Sequence, residues 1–400
     1  AIVAVKLPDM PGRINGRFDY RDEFFVLSDV VGSIGETAFN IDTTLSQQPG
    51  FAGSKLAFSV SGPNLKELLP LKALEHLPHP FKASGRITKG NGSDQIDALK
   101  LELGSIRANV DGTVDDLLNI SSAELAVSAS GPDFSVFGPL LKRDAPADPF
   151  NLQASIKGED HFFDVDPFKV SLGTSDLAGN FTLGTRDGID FKGRLHSDLL
   201  SIAWLTAPKT APEEEKLEEI EEAPKRDRVF PDTPIPEAQF EGLAVDLEFQ
   251  AGHVILDFTE WHGFDLDLLL KNQLIELETH VEGGPLGEKL DAKFTFDTSG
   301  DDAKLDLNVD GDDFRLGLMA PEGQGLESTP PTDIMIRAAG HGATWHELAS
   351  SLDGRFRVHQ DAGLVASAGM DLIFSDLLSE LLDTLNPFSE TQPYTELQCG

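Results

Sequence analysis

Three kinds of side chain in this sequence could do chemistry: paired carboxylates, histidines and one cysteine. Asp265 and Asp267 stand two apart, a spacing that could suggest the carboxylate pair of glycoside hydrolysis. On a strand that spacing puts both on one face, and it recurs throughout the chain, so the pair reads as a solvated surface. The stretches Asp297-Thr-Ser-Gly-Asp-Asp302 and Asp310-Gly-Asp-Asp313 offer oxygen ligands of the kind calcium needs. Neither has the closing glutamate of a calcium loop, and their spacing fits hairpin turns. The ten histidines are scattered; His76 and His79 flank a proline turn with no Cys or carboxylate at metal-ligand spacing. Cys399 is alone, which excludes an internal disulfide and a cysteine-rich zinc site. Gly283-Gly-Pro-Leu-Gly287 reads as a turn, and no nucleotide-binding glycine loop, HExxH or serine elbow is present. The sequence therefore predicts no enzyme, no catalytic residue, no metal and no cofactor.

The elements that would position any other function are β-strands. With 32 Lys+Arg against 68 Asp+Glu in 400 residues, the net charge is −36. That excess opposes charge-driven binding to nucleic acid or to an anionic lipid surface. Charged residues are 25% and apolar residues 40%, enough to bury a core. No apolar run is long enough to span a bilayer as a helix. The opening Ala1-Ile-Val-Ala-Val5 lacks the features of a signal peptide, so the chain reads as a fragment or a processed protein. There are 26 Phe, 2 Tyr and 3 Trp. Phe lacks the polar handle of Tyr and Trp, so these rings belong somewhere dry.

A repeat runs through the first half. Leu56-Ala-Phe-Ser-Val-Ser-Gly-Pro-Asn64 returns as Leu125-Ala-Val-Ser-Ala-Ser-Gly-Pro-Asp133, and the same spacing joins Pro80-Phe81 to Pro149-Phe150 and Gly104-Ser105 to Gly173-Thr174. The unit is about 70 residues. Within it, Leu56, Phe58 and Val60 alternate with polar residues, as do Leu99, Leu101 and Leu103, and Phe168, Val170 and Leu172. Asn64, Asp133 and Asp198 read as caps of short helices that Pro70 and Pro139 would stop. Residues 207–236 form an acidic, proline-rich insert, read as a solvated loop. After it, Leu243 to Phe249, Val254 to Phe258, Phe264 to Leu270, Phe294 and Phe296, Leu305 to Val309 and Phe314 to Leu318 alternate with charged residues. These predict successive, mostly antiparallel strands with one greasy and one charged side. About thirty strands at ~4.8 Å would reach on the order of 140 Å. Thr344-Trp-His-Glu347 is a capping box with Gly354 as the stop, and a longer amphipathic helix is predicted over 370–385.

The unit of strand, Gly-Pro-Asp-Phe, helix and Pro-Leu-Leu (residues 131–141), followed by Pro149-Phe150 and the strand block 168–181, resembles the repeat of AsmA-family proteins. Trp345-His-Glu-Leu-Ala-Ser-Ser-Leu-Asp-Gly354, Asp376-Leu-Leu, Asn386-Pro-Phe388 and Tyr394-Thr-Glu-Leu-Gln-Cys399 resemble that family's C-terminal block. The resemblance implies a Gram-negative envelope protein, anchored in the inner membrane by an N-terminal helix, with its body in the periplasm. It implies a bridge-like lipid carrier whose curved sheet forms an apolar groove for phospholipid between inner and outer membranes. The chain lacks the anchor and stops at Gly400, as a fragment would.

The expected architecture is mainly β: an elongated, twisted, mostly antiparallel sheet curved into an apolar groove, with short capping helices and a small helical C-terminal block. Its parts are a partial first repeat (1–50), a repeat (51–119), a repeat and the start of the next (120–206), the insert (207–236), a β-rich segment (237–330) and the end block (331–400). The expected groove lining is Phe58, Leu101, Val170, Leu172, Leu256, Phe258, Leu266, Leu268, Phe294, Phe296, Leu307 and Leu316. The expected partners are phospholipid acyl chains, both membranes through parts outside this chain, and envelope proteins, with no nucleic acid. The competing expectation is a non-transporting periplasmic scaffold or assembly regulator with closed β-domains.

Overall fold

Period-two patterning becomes strand along nearly the whole chain. The computed structural model describes residues 11–65, 80–117, 120–141, 144–202, 232–235, 242–256, 259–314 and 330–360. Among these, nineteen strands form one sheet: β1 (Gly12–Arg21), β2 (Phe24–Ile34), β3 (Thr37–Ser46), β4 (Lys55–Gly62), β5 (Phe81–Lys89), β6 (Asp94–Leu103), β7 (Ile106–Val114), β8 (Ala123–Gly131), β9 (Phe150–Glu159), β10 (Phe162–Leu172), β11 (Ser175–Gly184), β12 (Ile189–Ser201), β13 (Leu243–Leu256), β14 (Thr259–Lys271), β15 (Leu274–Gly283), β16 (Lys289–Asp297), β17 (Ala303–Phe314), β18 (Thr332–Gly342) and β19 (Asp353–Gln360). Each strand pairs with its neighbours in sequence, and no pairing joins β1 to β19, so the sheet is an open meander. At ~4.8 Å per step it extends on the order of 90 Å, and a twist of ~20° per step carries it through about one full turn. Within the described residues, strands are longer than the sequence suggested. Leu243 to Phe249 and Val254 to Leu256, read as two strands, lie on β13 alone.

One junction breaks the antiparallel rule. β12 and β13 run parallel, with Phe191 opposite Val245 and Leu195 opposite Phe249. A parallel pair needs a long connection, which residues 202–242 supply. The expectation of a solvated loop fails at its last described residues. Pro234 bridges Thr344, the Ile235 N–H donates to the Ala343 carbonyl at 3.0 Å, and the Ile235 side chain is buried.

Three other local expectations change. Asp198 lies within β12 rather than capping a helix, and its N–H donates to the Asp176 carboxylate. Pro139 sits inside the short helix Gly138–Leu141 instead of ending the turn before it. Gly354 belongs to β19, while the helix Trp345–Ser351 is capped at Leu352. Asp133 lies one residue before the N-cap of the short helix Ser135–Phe137, where its Oδ1 accepts the Ser135 N–H at 2.9 Å and hydroxyl at 2.6 Å. Half of the capping box forms: the Glu347 N–H donates to Thr344 Oγ1 at 3.1 Å, while Glu347 Oε2 accepts from the Ala343 N–H at 2.9 Å, one residue before the N-cap. Residues 66–79, which include Pro70, His76 and His79, the predicted helix 370–385 and Cys399 lie outside the described residues.

The sheet carries a periodic irregularity. Register shifts fall at Leu27/Val30, Ile96/Leu99 and Val165/Phe168, on β2, β6 and β10, each 69 residues after the last. Phenylalanines also recur with them. The ring of Phe81 lies over Gly62, and that of Phe150 over Gly131, where an added Cβ would stand 2.8 and 2.5 Å from ring carbon. A ring folded over a cross-strand glycine needs no polar partner, which accounts for part of the phenylalanine excess.

Among the described residues, buried side chains are sparse and scattered along the sheet, with two clusters among them. One holds Ile96, Val114 and Ala123. The other joins Ile235, Phe296, Ala303, Leu305, Leu307 and Leu348 under the helix Trp345–Ser351.

Candidate functional site

Directly paired residues in a sheet share a face, so the register assigns each side chain. Starting from Leu101, the partners Ala83 and Val60 run one way and Ala108, Ala129, Leu152 and Val170 the other. Phe58 lies on the next row, opposite Gly85; Leu172 lies on another, opposite Phe150. A longer row runs Val127, Ala154, Phe168, Gly179, Leu195, Phe249, Leu266, Thr279, Ala292, Val309, Ile336 and Phe356. Beside it, Leu247, Leu268, Leu277, Phe294, Leu307 and Ala338 are successive partners. Phe296 lies between Ile275 and Leu305. The structure thus brings nine of the expected lining residues, Phe58, Leu101, Val170, Leu172, Leu266, Leu268, Phe294, Phe296 and Leu307, onto one face. Phe258 and Leu316 lie outside the described residues.

Leu256 reaches that face by a local device. The buried residues of β13 are Ala251 and Val254, three apart, so the apolar parity changes between them. Gly252 lies level with Gly263 of β14, whose φ is +60°, at the changeover. An added Cβ at Gly263 would lie 2.6 Å from Cγ and Oε2 of Glu282, so a side chain there would collide. Past this point Val254, Trp261 and Leu256 are the apolar set.

Most of the face is only half-buried: Leu101 keeps 41% exposure, against 3% for Leu305 beneath the helix. The helix Trp345–Ser351 covers one corner. It comes so close to β18 that a Cβ at Gly342 would lie 2.4 Å from the Leu348 nitrogen. The rings of Trp345 and Phe296 stack there at 6.3 Å.

The opposite face is charged. Arg194 of β12 makes a bidentate pair with Glu248 of β13, at 2.7 and 3.2 Å, and Lys192 pairs with Asp246, so the parallel junction is clipped by ions. The Glu248 carboxylate raises the Arg194 pKa through those hydrogen bonds. Asp265 accepts from Gln250 Nε2 at 2.8 Å and shares this solvated side with Asp267, as the sequence suggested. A shallow hollow of about 740 Å³ lies mainly on this charged side of β11–β16, against Asn180, Arg194, Glu248, Asp267 and Lys293. Its lining is unsuited to acyl chains.

The Asp-rich stretches divide. Asp297 closes the β16–β17 turn, and the Ser299 hydroxyl, followed by the Ser299 N–H, holds its pKa below the usual carboxylate range. Asp310–Asp313 is not a hairpin turn: it lies within β17, at a register shift between Gly311 and Phe314. Gly284 to Gly287 forms the β15–β16 turn, tied by the Gly287 N–H to the Gly284 carbonyl at 3.1 Å.

One constellation escaped the sequence reading. His253 and His262 are direct partners across β13 and β14, and Glu260 is two residues from His262 on the same strand. Folding the sequence about residues 257 and 258 as a hairpin would have matched them. No protein-family model, curated protein or solved structure matches the chain.

Proposed function

We propose that the apolar face carries lipid acyl chains, as an AsmA-like, bridge-type lipid-transfer protein of the bacterial envelope would. The observation that carries this reading is the continuity of the apolar rows. They cross strand after strand, stay half-exposed at residues such as Leu101, Val170 and Leu266, and have a polar face rich in charged residues behind them. A face of this kind holds acyl chains by partition, worth ~0.8 kcal/mol per buried CH₂, and needs no catalytic residue. The bulge interval of 69 residues supports reading the first half as four-stranded repeats that extend one surface. In this reading the body sits in the periplasm, the ends reach the two membranes through parts outside this chain, and the charged face meets water.

The test exploits parity. Val170 lies on the apolar face and its neighbour Lys169 on the charged one, both on β10. Gently purified protein is expected to carry glycerophospholipid by native mass spectrometry. Val170→Asp displaces about four half-buried methylenes, ~1.5 kcal/mol, and should weaken lipid affinity about tenfold, seen as lower occupancy. Lys169→Asp should leave occupancy unchanged. Lipid-free wild-type protein, or equal loss in both variants, refutes the reading.

A further inference from the structure

We propose that His253, Glu260 and His262 form a binding site for a divalent transition-metal ion on the charged face. The three side chains are exposed, and one ligand atom from each lies within 4.8 Å of the others. Nδ1 of His253 is 2.7 Å from Glu260 Oε1 and 3.0 Å from Nδ1 of His262. Protons cannot satisfy both contacts. If His253 Nδ1 carries a hydrogen, it serves one line well and the other poorly; if it does not, its lone pair faces a carboxylate. A cation between the three atoms satisfies all of them. With ligand bonds of ~2.0–2.1 Å, neighbouring ligand atoms stand ~2.9 Å apart at octahedral angles and ~3.3 Å apart at tetrahedral ones. The two separations from His253 Nδ1, 2.7 and 3.0 Å, are within a few tenths of an ångström of the first value, and the Glu260 and His262 ligand atoms lie within 4.8 Å of each other.

The fold positions this set on rigid elements. His253 and His262 are direct cross-strand partners, and Glu260 follows on the same side of β14. The parity change at Gly252 and Gly263 turns them away from the apolar rows. Glu282 reaches over Gly263, next to His262, and adds negative charge beside the site. Two imidazoles with one carboxylate favour zinc, copper, nickel or iron over magnesium and calcium, which prefer all-oxygen sets. Three protein ligands on an exposed surface leave further positions for water or a small anion.

The probe is Zn²⁺ alone. The full chain carrying Cys399→Ser, which removes the one thiol, would be stripped with chelator and titrated by calorimetry with excess Mg²⁺ present. One strong site is expected. His253→Ala and His262→Ala should abolish it, and Glu260→Gln should weaken it about tenfold or more. His196→Ala, elsewhere on the charged face, should leave it intact. Co²⁺ should give a visible absorption band that disappears in His262→Ala. Circular dichroism melts of the metal-free variants should match wild type, because the residues are exposed. Unchanged zinc affinity in His262→Ala overturns the proposal, as does displacement of the zinc by Mg²⁺.

Discussion

Leu348→Ala should unfasten one end of the sheet and leave the rest closed. Leu348 is 1% exposed and packs with Ile235, Ala303, Leu305 and Leu307 beneath the helix Trp345–Ser351. The substitution removes three carbons, about 2.4 kcal/mol of transfer free energy. The helix already touches β18 at Gly342, so the site cannot collapse to fill the space. A residual cavity of ~60 Å³ adds about 1.4 kcal/mol, for a total near 4 kcal/mol. In an array whose members contact only neighbours, the loss should stay local. Hydrogen exchange is the assay. Amides of β16–β19 and of residues 232–235 should exchange up to about a thousandfold faster, while those of β2–β11 keep their rates. Leu348→Met, which preserves volume, should restore most of the protection. Unchanged exchange near the helix, or equal loosening across the sheet, refutes the nearest-neighbour reasoning.

Two further outcomes follow from local geometry. Gly112→Ala should destabilise the β6–β8 region by about 1–3 kcal/mol, because Gly112 has φ +137° and an added Cβ would stand 2.0 Å from the Glu124 carbonyl oxygen; urea unfolding checks it, and an unchanged midpoint contradicts the geometry. The hydrogen bond to Asp291 at 2.6 Å raises the His280 pKa, so its stabilisation is complete below about pH 6.5 and is lost as pH rises through the higher folded-state value. Wild type should therefore melt slightly above His280→Gln at about pH 5.5 and level with it in alkaline buffer, with a gap reduced by salt because the pair is exposed; a pH-independent gap contradicts the assignment.

The alternation of Phe168, Val170 and Leu172, or of Phe264, Leu266, Leu268 and Leu270, was legible as strand and as one face because period two is a local property. Strand ends were less legible. Leu243–Leu256 changes apolar parity within one strand at Gly252, and a parity change in sequence looks like a turn. The parallel β12–β13 pair was hidden because its two strands are separated by residues 202–242, and nothing local encodes the direction of the return. The anchoring of Ile235 was hidden for a related reason: one apolar residue in a proline-rich stretch gains meaning only beside Leu305 and Leu348. His253, Glu260 and His262 look scattered until the hairpin register is known, because cross-strand ligands are set by distance from the turn and not by their spacing along one strand.

The two faces impose opposite requirements on the same backbone. On the charged side, direct partners such as Arg194 and Glu248, or Lys293 and Glu278, neutralise each other across strands while the excess acid keeps that side in water. On the apolar side there is no such pairing, and the sheet must obtain stability from whatever covers it. At the end block the cover is part of the chain, and there Phe296, Leu305 and Leu307 become buried. Along β4–β10 the rows mix large residues with small ones, as in Val60, Ala83, Leu101, Ala108, Ala129 and Leu152. A second protein layer would have to match that fixed relief side chain by side chain. Acyl chains adapt to it by rotating about their own bonds, so a fluid occupant fits an uneven row that a rigid one would leave with voids. The same adaptability lets an occupant move from one row to the next without a change in the sheet. The relief of the apolar face, together with its continuity, is what the proposed lipid cover would have to fit.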